Sequence, residues 1–572
     1  MSQKNSFQEK QNAAVLNTAP KKIGFMSAII MTIGCCIGSG IFFKSGTVMM
    51  YSNNSLLLSL GSWLIAGLAV IAMAIALIDI ASQSKKDNRG FLSWIRKFNS
   101  LFTYKLAKNF FAFFYIPINW FILPVYLFQS LQSGLCYIGA EMIDGQIQFS
   151  QFGINVLNFP WWGVLIITVI VTSWFIIWSG LSVKFGNYTS LIINSIKFIP
   201  LVFALVIGFI IVGINGTIPP ENSITYEPVE SVDQPLNFFS LTPVFGVFMS
   251  LSAIFFAYDG FYIAAGLGSK LKNPKKIPWI LLTGLLLATV IYLSIALSIT
   301  LGAKGGQWDN IGEFFVAKNL AWIYVIVNVI IAVGILGTIN AYAIWGPMLY
   351  EDLLNDHEAP LAKRLHKHLH KKKPYVGTIY QYVLGIPVLI IFIIVGAFGY
   401  TQADGYYLYI SNGANNFEIA YVYAFCDLIS NWLTVIAFAF IAIAILMYAI
   451  KKIKEPTKKS SKEWLFIFCG LFSSLVVLIG LGAQFVAPFV DLGLQVSWNN
   501  SHHDNQVSII SNVCLIVILF ALLALSIIPT IFEIRNPKVI QLYKLQIRVD
   551  DLNLKVEQLN EEKQKLIEQS MK

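Results

Sequence analysis

Three small residues, Gly38-Ser39-Gly40, interrupt the first long apolar run of the sequence. Glycine lets a chain leave helical geometry at low steric cost, while backbone groups inside lipid must still find hydrogen-bond partners. A chain that resumes its helix at Ile41 presents free N–H groups at a positive helix end, which attracts a carboxylate. The carbonyl groups freed just before the break attract an ammonium group. The pattern is therefore typical of close helix packing or of a site for a small zwitterion.

A second interruption lies in the sixth apolar run, where Asp259-Gly260 is a turn pair. A carboxylate inside a membrane span is energetically costly and by default suggests a function. The two interrupted runs are five runs apart, a placement typical of inverted repeats with a midplane site between two broken helices. Position alone supports this repeat, because no repetition is visible residue by residue.

The elements that would position these breaks are membrane helices. Of the 572 residues 56% are hydrophobic and only 12% are charged, a composition typical of a multi-span membrane protein. We expect a polar cytoplasmic segment at 1–22, a transmembrane domain at 23–535 and a cytoplasmic helix at 536–572. About twelve runs are long enough to span: 24–50, 56–81, 108–138, 161–181, 188–214, 238–267, 278–302, 320–350, 376–399, 421–450, 464–487 and 508–533.

The loops between these runs alternate in charge. Lys and Arg are concentrated in four loops and absent from the four that alternate with them, so the positive-inside rule places both termini in the cytoplasm of a plasma membrane protein. The net charge of +10 is then a topology signal, with contact to anionic membrane lipid as a second role. Nucleic acid is not an expected partner, because the basic clusters lie on short loops between spans. The basic loops are 82–108, 268–277, 351–374 and 451–462; the loops without Lys or Arg are 139–160, 215–238, 399–420 and 488–507.

Several segments, taken together, resemble the amino acid–polyamine–organocation superfamily, most closely its L-type and bacterial amino acid permeases. Their order and spacing fit as well as their residues, and the similarity covers roughly residues 22–530. The segments are GSGIF at 38–42, KFIPL at 197–201, FFAYDGF at 255–261 with LKNPKKIP at 271–278, and GTINAYAIWGPMLYEDLLNDHEAP at 337–360.

The resemblance implies an all-α integral membrane protein with about twelve transmembrane helices and alternating access. Its fold would be LeuT-like, with five plus five inverted spans followed by two further helices. The backbone around Ser39 and Gly40 would bind a substrate carboxylate, and carbonyl groups on both broken spans would bind the amine. Phe256 would close over the substrate as an aromatic gate. The implied substrate-binding residues are Cys36, Ile37, Gly38, Ser39, Gly40, Phe256, Ala257 and Asp259.

Lys197 lies in the fifth run, and a lysine inside a membrane span usually has a functional role. Burial disfavours the charged form of lysine and makes proton exchange near neutral pH feasible. In the permeases that the chain resembles, a lysine at this place occupies the position of a coupling sodium ion. We expect Lys197 to couple transport to protons or to act as a fixed ammonium strut; the alternative is a lysine that extends to the cytoplasmic interface.

The sequence shows no nucleophile–base pair and no Walker or G-x-S-x-G motif, so neither enzyme activity nor a cofactor is expected. His366 and His370 share a helical face, but no Cys or carboxylate completes a metal site in that basic loop. Lys44 follows the first break, and its type and position alone indicate no role.

The C-terminal segment has a heptad pattern. Apolar residues recur in a 3-4 spacing, which predicts a cytoplasmic coiled-coil-like helix that joins a second copy or a partner helix. An amphipathic helix on the inner leaflet is the alternative. The apolar positions are 542, 545, 549, 552, 556, 559 and 566.

These observations predict a secondary active transporter for amino acids, coupled to protons or working by exchange. Sodium coupling is disfavoured because Lys197 would fill that site. Two alternatives stay open: a polyamine or cationic amino acid transporter in which Asp259 supplies the counter-charge, and a permease-like sensor that signals through the C-terminal helix.

Overall fold

The computed structural model describes most of the chain between residue 40 and residue 537. Single positions before residue 40 and after residue 537, and Ile193, are described as well. The main described ranges are 40–82, 91–182, 196–227, 236–261, 277–370, 373–402, 405–410, 413–455, 460–502 and 506–537.

The described chain is a helical bundle with one small hairpin. In chain order its elements are α1 (Gly40–Tyr51), α2 (Leu56–Ser82), α3 (Phe91–Phe98), α4 (Leu101–Phe110), a π-helical turn (Phe111–Tyr115), α5 (Ile116–Leu135), β1 (Glu141–Ile143), β2 (Gln146–Gln148), α6 (Gln151–Leu157), α7 (Trp161–Leu181), α8 (Phe198–Asn215), α9 (Phe238–Leu241), α10 (Pro243–Ala257), α11 (Ile277–Gly302), α12 (Ile311–Ala317), α13 (Ala321–Asn355), α14 (Ala362–Leu365), α15 (Tyr375–Gly399), α16 (Phe417–Lys454), α17 (Ser461–His502) and α18 (Gln506–Ile534). The two strands pair antiparallel, with Met142 opposite Ile147.

Ten helices of the described chain are long and apolar enough to cross a membrane. They are α2, the continuous helix formed by α4, the π turn and α5, and then α7, α8, α11, α13, α15, α16, α17 and α18. This confirms a multi-pass membrane protein. The helix that contains α5 is the central one, because 89% of its most apolar window is buried, compared with 22% for α18.

One further apolar helix, α10, is too short to span. It has 15 residues, whereas a crossing needs about 20. It ends at Ala257, just before Asp259-Gly260, where the sequence predicted the second interruption; of the first predicted interruption, only Gly40 lies within the described residues, as the first residue of α1.

Two predicted boundaries differ from the structure for local reasons. The third run was expected to start at 108, but the helix begins at Leu101, where the Ser100 hydroxyl accepts a hydrogen bond from the Thr103 N–H at 3.2 Å. The eleventh run was expected to end at 487, but α17 continues to His502. Polar residues are accommodated there because they find partners: the Asn512 amide donates to Gln495 at 2.6 Å.

The loops define two ends of the bundle. The lysine-poor end contains Tyr51, the β-hairpin and the described loop residues 216–227 and 405–410. The lysine-rich end contains α3, α14 and the C-terminal end of α16. Ion pairs bind the helices together at the lysine-rich end, where Lys452 lies 2.6 Å from Asp79 and Lys105 lies 2.9 Å from Glu358.

Candidate functional site

The first described residue of α1, Gly40, is in direct contact with the end of α10. A Cβ placed on Gly40 would lie 3.0 Å from the Cα of Ala257 and 3.4 Å from Cδ1 of Phe256. Only a residue without a side chain permits this approach at normal contact distances. The first turn of α1 therefore lies directly against the last turn of α10.

The end of α10 is fixed by its local sequence. The Tyr258 N–H bonds to the carbonyl of Phe255 at 3.1 Å, and Gly260 has a φ of 94°, which an L side chain rarely adopts. The helix therefore cannot continue as α-helix through Gly260.

The structure brings together four of the predicted site residues and leaves four outside its description. Gly40, Phe256, Ala257 and Asp259 lie around the contact between α1 and α10. The remaining four predicted residues, Cys36, Ile37, Gly38 and Ser39, lie outside the described residues.

Lys197 precedes the first residue of α8 and is half-buried. A Cβ placed on Gly334, in α13, would lie 3.4 Å from the Cβ of Lys197. The Lys197 ammonium nitrogen lies 6.0 Å from the centre of the Phe198 ring. Its stem is therefore packed against α13.

Asp259 is held by a tyrosine network. The Tyr115 hydroxyl donates to Oδ2 of Asp259, and the Gly260 N–H donates to Oδ1 at 3.0 Å. Tyr115 is the last residue of the π turn, and its hydroxyl lies 2.9 Å from that of Tyr342. A π turn inside an α-helix often marks a functional site, and here it directs Tyr115 toward the end of α10.

One helical turn after Gly40, α1 forms a buried ion pair with α16. The Lys44 ammonium lies 2.6 Å from Oδ1 of Asp427 and donates to the Ser430 hydroxyl at 2.7 Å. The Thr47 hydroxyl donates to Oδ2 at 2.9 Å, and the Tyr126 hydroxyl donates to Oδ1 at 3.1 Å. Lys44 is 0% exposed. Both charges thus have several hydrogen-bond partners, as burial of an ion pair requires.

Aromatic rings surround this pair. Phe43 stacks on Tyr126 at 4.4 Å between ring centres, and the ring of Phe256 lies 5.8 Å from that of Tyr126. The Lys44 ammonium is 4.8 Å from the centre of the Phe256 ring, a cation–π distance. We call these six residues, Phe43, Lys44, Tyr126, Phe256, Asp427 and Ser430, the ion-pair layer. Through Phe256 it contacts the Gly40–Ala257 junction.

A cavity of about 170 Å³, which we call the polar cavity, reaches from the ion-pair layer toward the lysine-poor end. Its wall comes from α1, α5, α9, α10, α16, α17, α18 and the loop residues 307–309, 400, 402, 405 and 406. Asp309 lies on one of these loops, and burial raises the pKa of its carboxyl to about 6. The polar side chains that line the cavity include Gln129, Asn237, Asp309, Gln402, Asp427, Trp432, Gln484, Asp491 and Asn512.

The sequence did not reveal the ion-pair layer. Lys44 and Asp427 are 383 positions apart, so no local pattern joins them. Asp427 itself was the one available signal. It is a carboxylate within the predicted run 421–450, and a charged residue inside a membrane span is costly and usually has a functional role.

Comparison with known proteins agrees with this architecture. Residues 23–520 match the family described as amino acid permease. The chain is 36% identical over 541 residues to an uncharacterized protein of Mycoplasma pneumoniae, covering 90% of this chain and 94% of that protein. It is 25% identical over 391 residues to the serine/threonine exchanger SteT of Bacillus subtilis, covering 66% of this chain and 78% of that protein.

A second Bacillus subtilis protein, named a methylthioribose transporter, is 27% identical over 288 residues, covering 47% of this chain and 53% of that protein. The two Bacillus subtilis relatives are named as an exchanger and a transporter, and together with the family match they point to a transporter rather than an enzyme. The match to the family model spans most of the chain and agrees with the bundle of apolar helices. The protein is therefore a membrane transporter that belongs to the amino acid permease family.

Proposed function

We propose that this protein is a secondary active transporter that moves amino acids across the plasma membrane by alternating access, coupled to protons or by exchange. The main supporting observation is the contact between Gly40, the first described residue of α1, and the end of α10 at Ala257. Helix ends inside a bundle leave backbone N–H and carbonyl groups without helical partners, and these groups suit the two charges of a zwitterion. The exchanger among the relatives is compatible with this proposal.

The proposed site combines both broken spans. N–H groups of Ser39 and Gly40 bind the carboxylate, and carbonyl groups near Cys36 and Ile37 bind the amine. On the other side the amine is bound by carbonyl groups near Phe256, Ala257 and Asp259. Phe256 and the rest of the ion-pair layer close this site toward the lysine-poor end. No resident cofactor or metal takes part.

The proposed topology has twelve spans. Ten are the long helices, and the other two are broken spans that include α1 and α10. The lysine-rich end faces the cytoplasm together with both termini, and the lysine-poor end faces outward. The first ten spans form the five-plus-five inverted repeat.

Uptake in proteoliposomes tests the proposal. Purified full-length protein is reconstituted into liposomes that contain unlabelled amino acids. Uptake of labelled serine, leucine, lysine and putrescine is then measured with and without a pH gradient. Uptake of a zwitterionic amino acid supports the proposal, and absence of uptake across the panel overturns it.

A polyamine or cationic amino acid transporter is the rival hypothesis, and it depends on Asp259 as a counter-charge. Both oxygens of Asp259 already accept hydrogen bonds, from Tyr115 and from the Gly260 N–H, and Asp259 does not line the polar cavity. This arrangement favours the zwitterion. Transport of lysine and putrescine without leucine would reverse that preference.

Replacing Lys197 with alanine is expected to remove the pH dependence of uptake while substrate binding persists. We propose that the amine of Lys197 exchanges the coupling proton. The measurement is initial uptake rate from pH 5 to pH 8. Lys318→Ala, at an exposed lysine outside the spans, is the control and should keep the wild-type profile. An unchanged profile in Lys197→Ala would exclude the coupling role and leave the binding site untouched.

Deleting residues 538–572 is expected to leave uptake intact and to reduce self-association. Five apolar side chains of the heptad pattern are 47–64% exposed: Leu545, Val549, Leu552, Val556 and Leu559. Valine at one heptad position and leucine at the other favour a parallel two-stranded coiled coil, and two copies in one membrane have the required orientation. The measurements are uptake and oligomeric state in detergent.

The deletion also removes Tyr543, whose hydroxyl donates to the carbonyl of Arg96 at 2.9 Å and attaches the tail to α3. Tyr543→Phe is the control for that contact. A wild-type protein that binds amino acids without moving them would favour the sensor hypothesis, and an unchanged oligomeric state after the deletion would contradict the coiled coil.

A further inference from the structure

Three buried polar side chains of the polar cavity lack a hydrogen-bond partner for one atom. Among the described residues, Oε1 of Gln129, Oε1 of Gln484 and Nε1 of Trp432 have none. The three side chains are 4%, 1% and 2% exposed, and all three line the cavity. Buried polar atoms nearly always have a partner, so two acceptors and one donor around one cavity point to a polar guest.

The amide of Gln484 is oriented by the protein. Its nitrogen donates to the Ser252 hydroxyl and to the Met249 carbonyl, which leaves the oxygen to accept. Asp491 lies two helical turns further along α17, on the same face, and also lines the cavity. Gln484 and Asp491, on one face of α17, therefore both line the cavity.

Three carboxyl groups line the polar cavity, those of Asp309, Asp427 and Asp491, and among the described residues only Asp427 is paired with a lysine. Within the described part of the chain no Lys or Arg lines the cavity. Asp491 accepts the Phe238 N–H at 2.5 Å, a bond that keeps its carboxyl group in place. Such a surface attracts ammonium groups and repels anions.

We infer that the polar cavity is a second amino acid site, which holds the ammonium group between Asp491 and the Gln484 oxygen. The Trp432 N–H donates to the solute carboxylate. The site selects zwitterionic and cationic amino acids over anionic ones before they reach the broken helices. It deepens the transport function proposed above and rests on it for its place on the route.

This site is separate from the one at the broken helices. The ion-pair layer lies between the cavity and the Gly40–Ala257 junction, with Asp427 in the cavity wall and Phe256 against Gly40. Moreover, α17 is the eleventh proposed span, outside the ten spans of the proposed repeat.

Equilibrium binding of labelled L-serine and L-leucine to the purified full-length protein tests the inference. The wild type is expected to show two sites. Gly40→Val should retain the site that depends on Asp491. Asp491→Asn should weaken that site about tenfold, because a hydrogen bond to a charged group is lost. L-glutamate should compete better in Asp491→Asn than in the wild type.

Asp144→Asn is the matched control, since Asp144 is an acidic residue of the hairpin turn that does not line the cavity. Trp432→Phe is a second variant that removes the donor, and thermal melting checks the fold of each. A single site that is lost in Gly40→Val and unchanged in Asp491→Asn and Trp432→Phe would overturn the inference while the proposed transport site stands. A single site that depends on Asp491 and not on Gly40 would support the cavity site and overturn the proposed site at the broken helices. Absence of any amino acid binding would overturn both.

Discussion

Gly40→Val is expected to abolish amino acid binding at the broken helices and to reduce uptake by about 100-fold or more. Even a single Cβ at this position lies 3.0 Å from the Cα of Ala257, and valine adds two methyl groups there. The first turn of α1 must then move away from α10, and displacements of about 1 Å in a binding site commonly reduce rates about 100-fold. The measurements are labelled amino acid binding and initial uptake.

The control for this prediction is Gly61→Val on α2, where no atom lies within 4 Å of the added Cβ. It should express and transport like the wild type. Gly40→Ala is expected to fall between the two, because its Cβ needs a shift of only a few tenths of an ångström. Ordinary uptake by Gly40→Val would contradict the proposed site, provided that its melting temperature shows a folded protein.

The sequence predicted the interruption after α10 because local chemistry produces it, whereas the predicted break at Gly38-Ser39-Gly40 lies outside the described residues except for Gly40. Gly260 has a positive φ, and a Cβ on Gly40 would lie 3.0 Å from the Cα of Ala257. Both requirements are met by glycine itself, so the residue type indicates the backbone geometry. The apolar runs predicted the helices for the same reason, since length and hydropathy are properties of a continuous segment.

The ion-pair layer and the polar cavity could not be predicted in this way. Their residues come from helices that are far apart in the sequence, including α1, α5, α10, α16, α17 and α18, and meet only after the helices pack. The partner of Lys44 depends on the rotation and tilt of α16 relative to α1, which hydropathy does not determine. The same limit applies to the end of α17, where side-chain partners rather than apolar residues extend the helix.

Lys44→Met and Asp427→Asn are each expected to destabilise the protein by about 3 to 5 kcal/mol and to abolish uptake. Each single change leaves the other charge or its hydrogen-bond partners buried without compensation. Lys304→Met is the control, because the Lys304–Glu221 pair has the same close geometry at 2.7 Å but is 58% and 42% exposed. An exposed pair of this kind contributes at most about 1 kcal/mol. Thermal melting in detergent measures the difference.

The double variant Lys44→Met/Asp427→Leu separates stability from transport. Replacing both charges of a buried pair with apolar side chains often restores stability, so this variant should melt near the wild-type temperature. We propose that the pair opens and closes over the substrate during each cycle. The double variant should then remain inactive, because charged side chains that separate can bind water or substrate, whereas apolar side chains cannot. Normal uptake by the double variant would mean that Lys44 and Asp427 only hold α1 against α16, and that Phe256 and Tyr126 close the site without them.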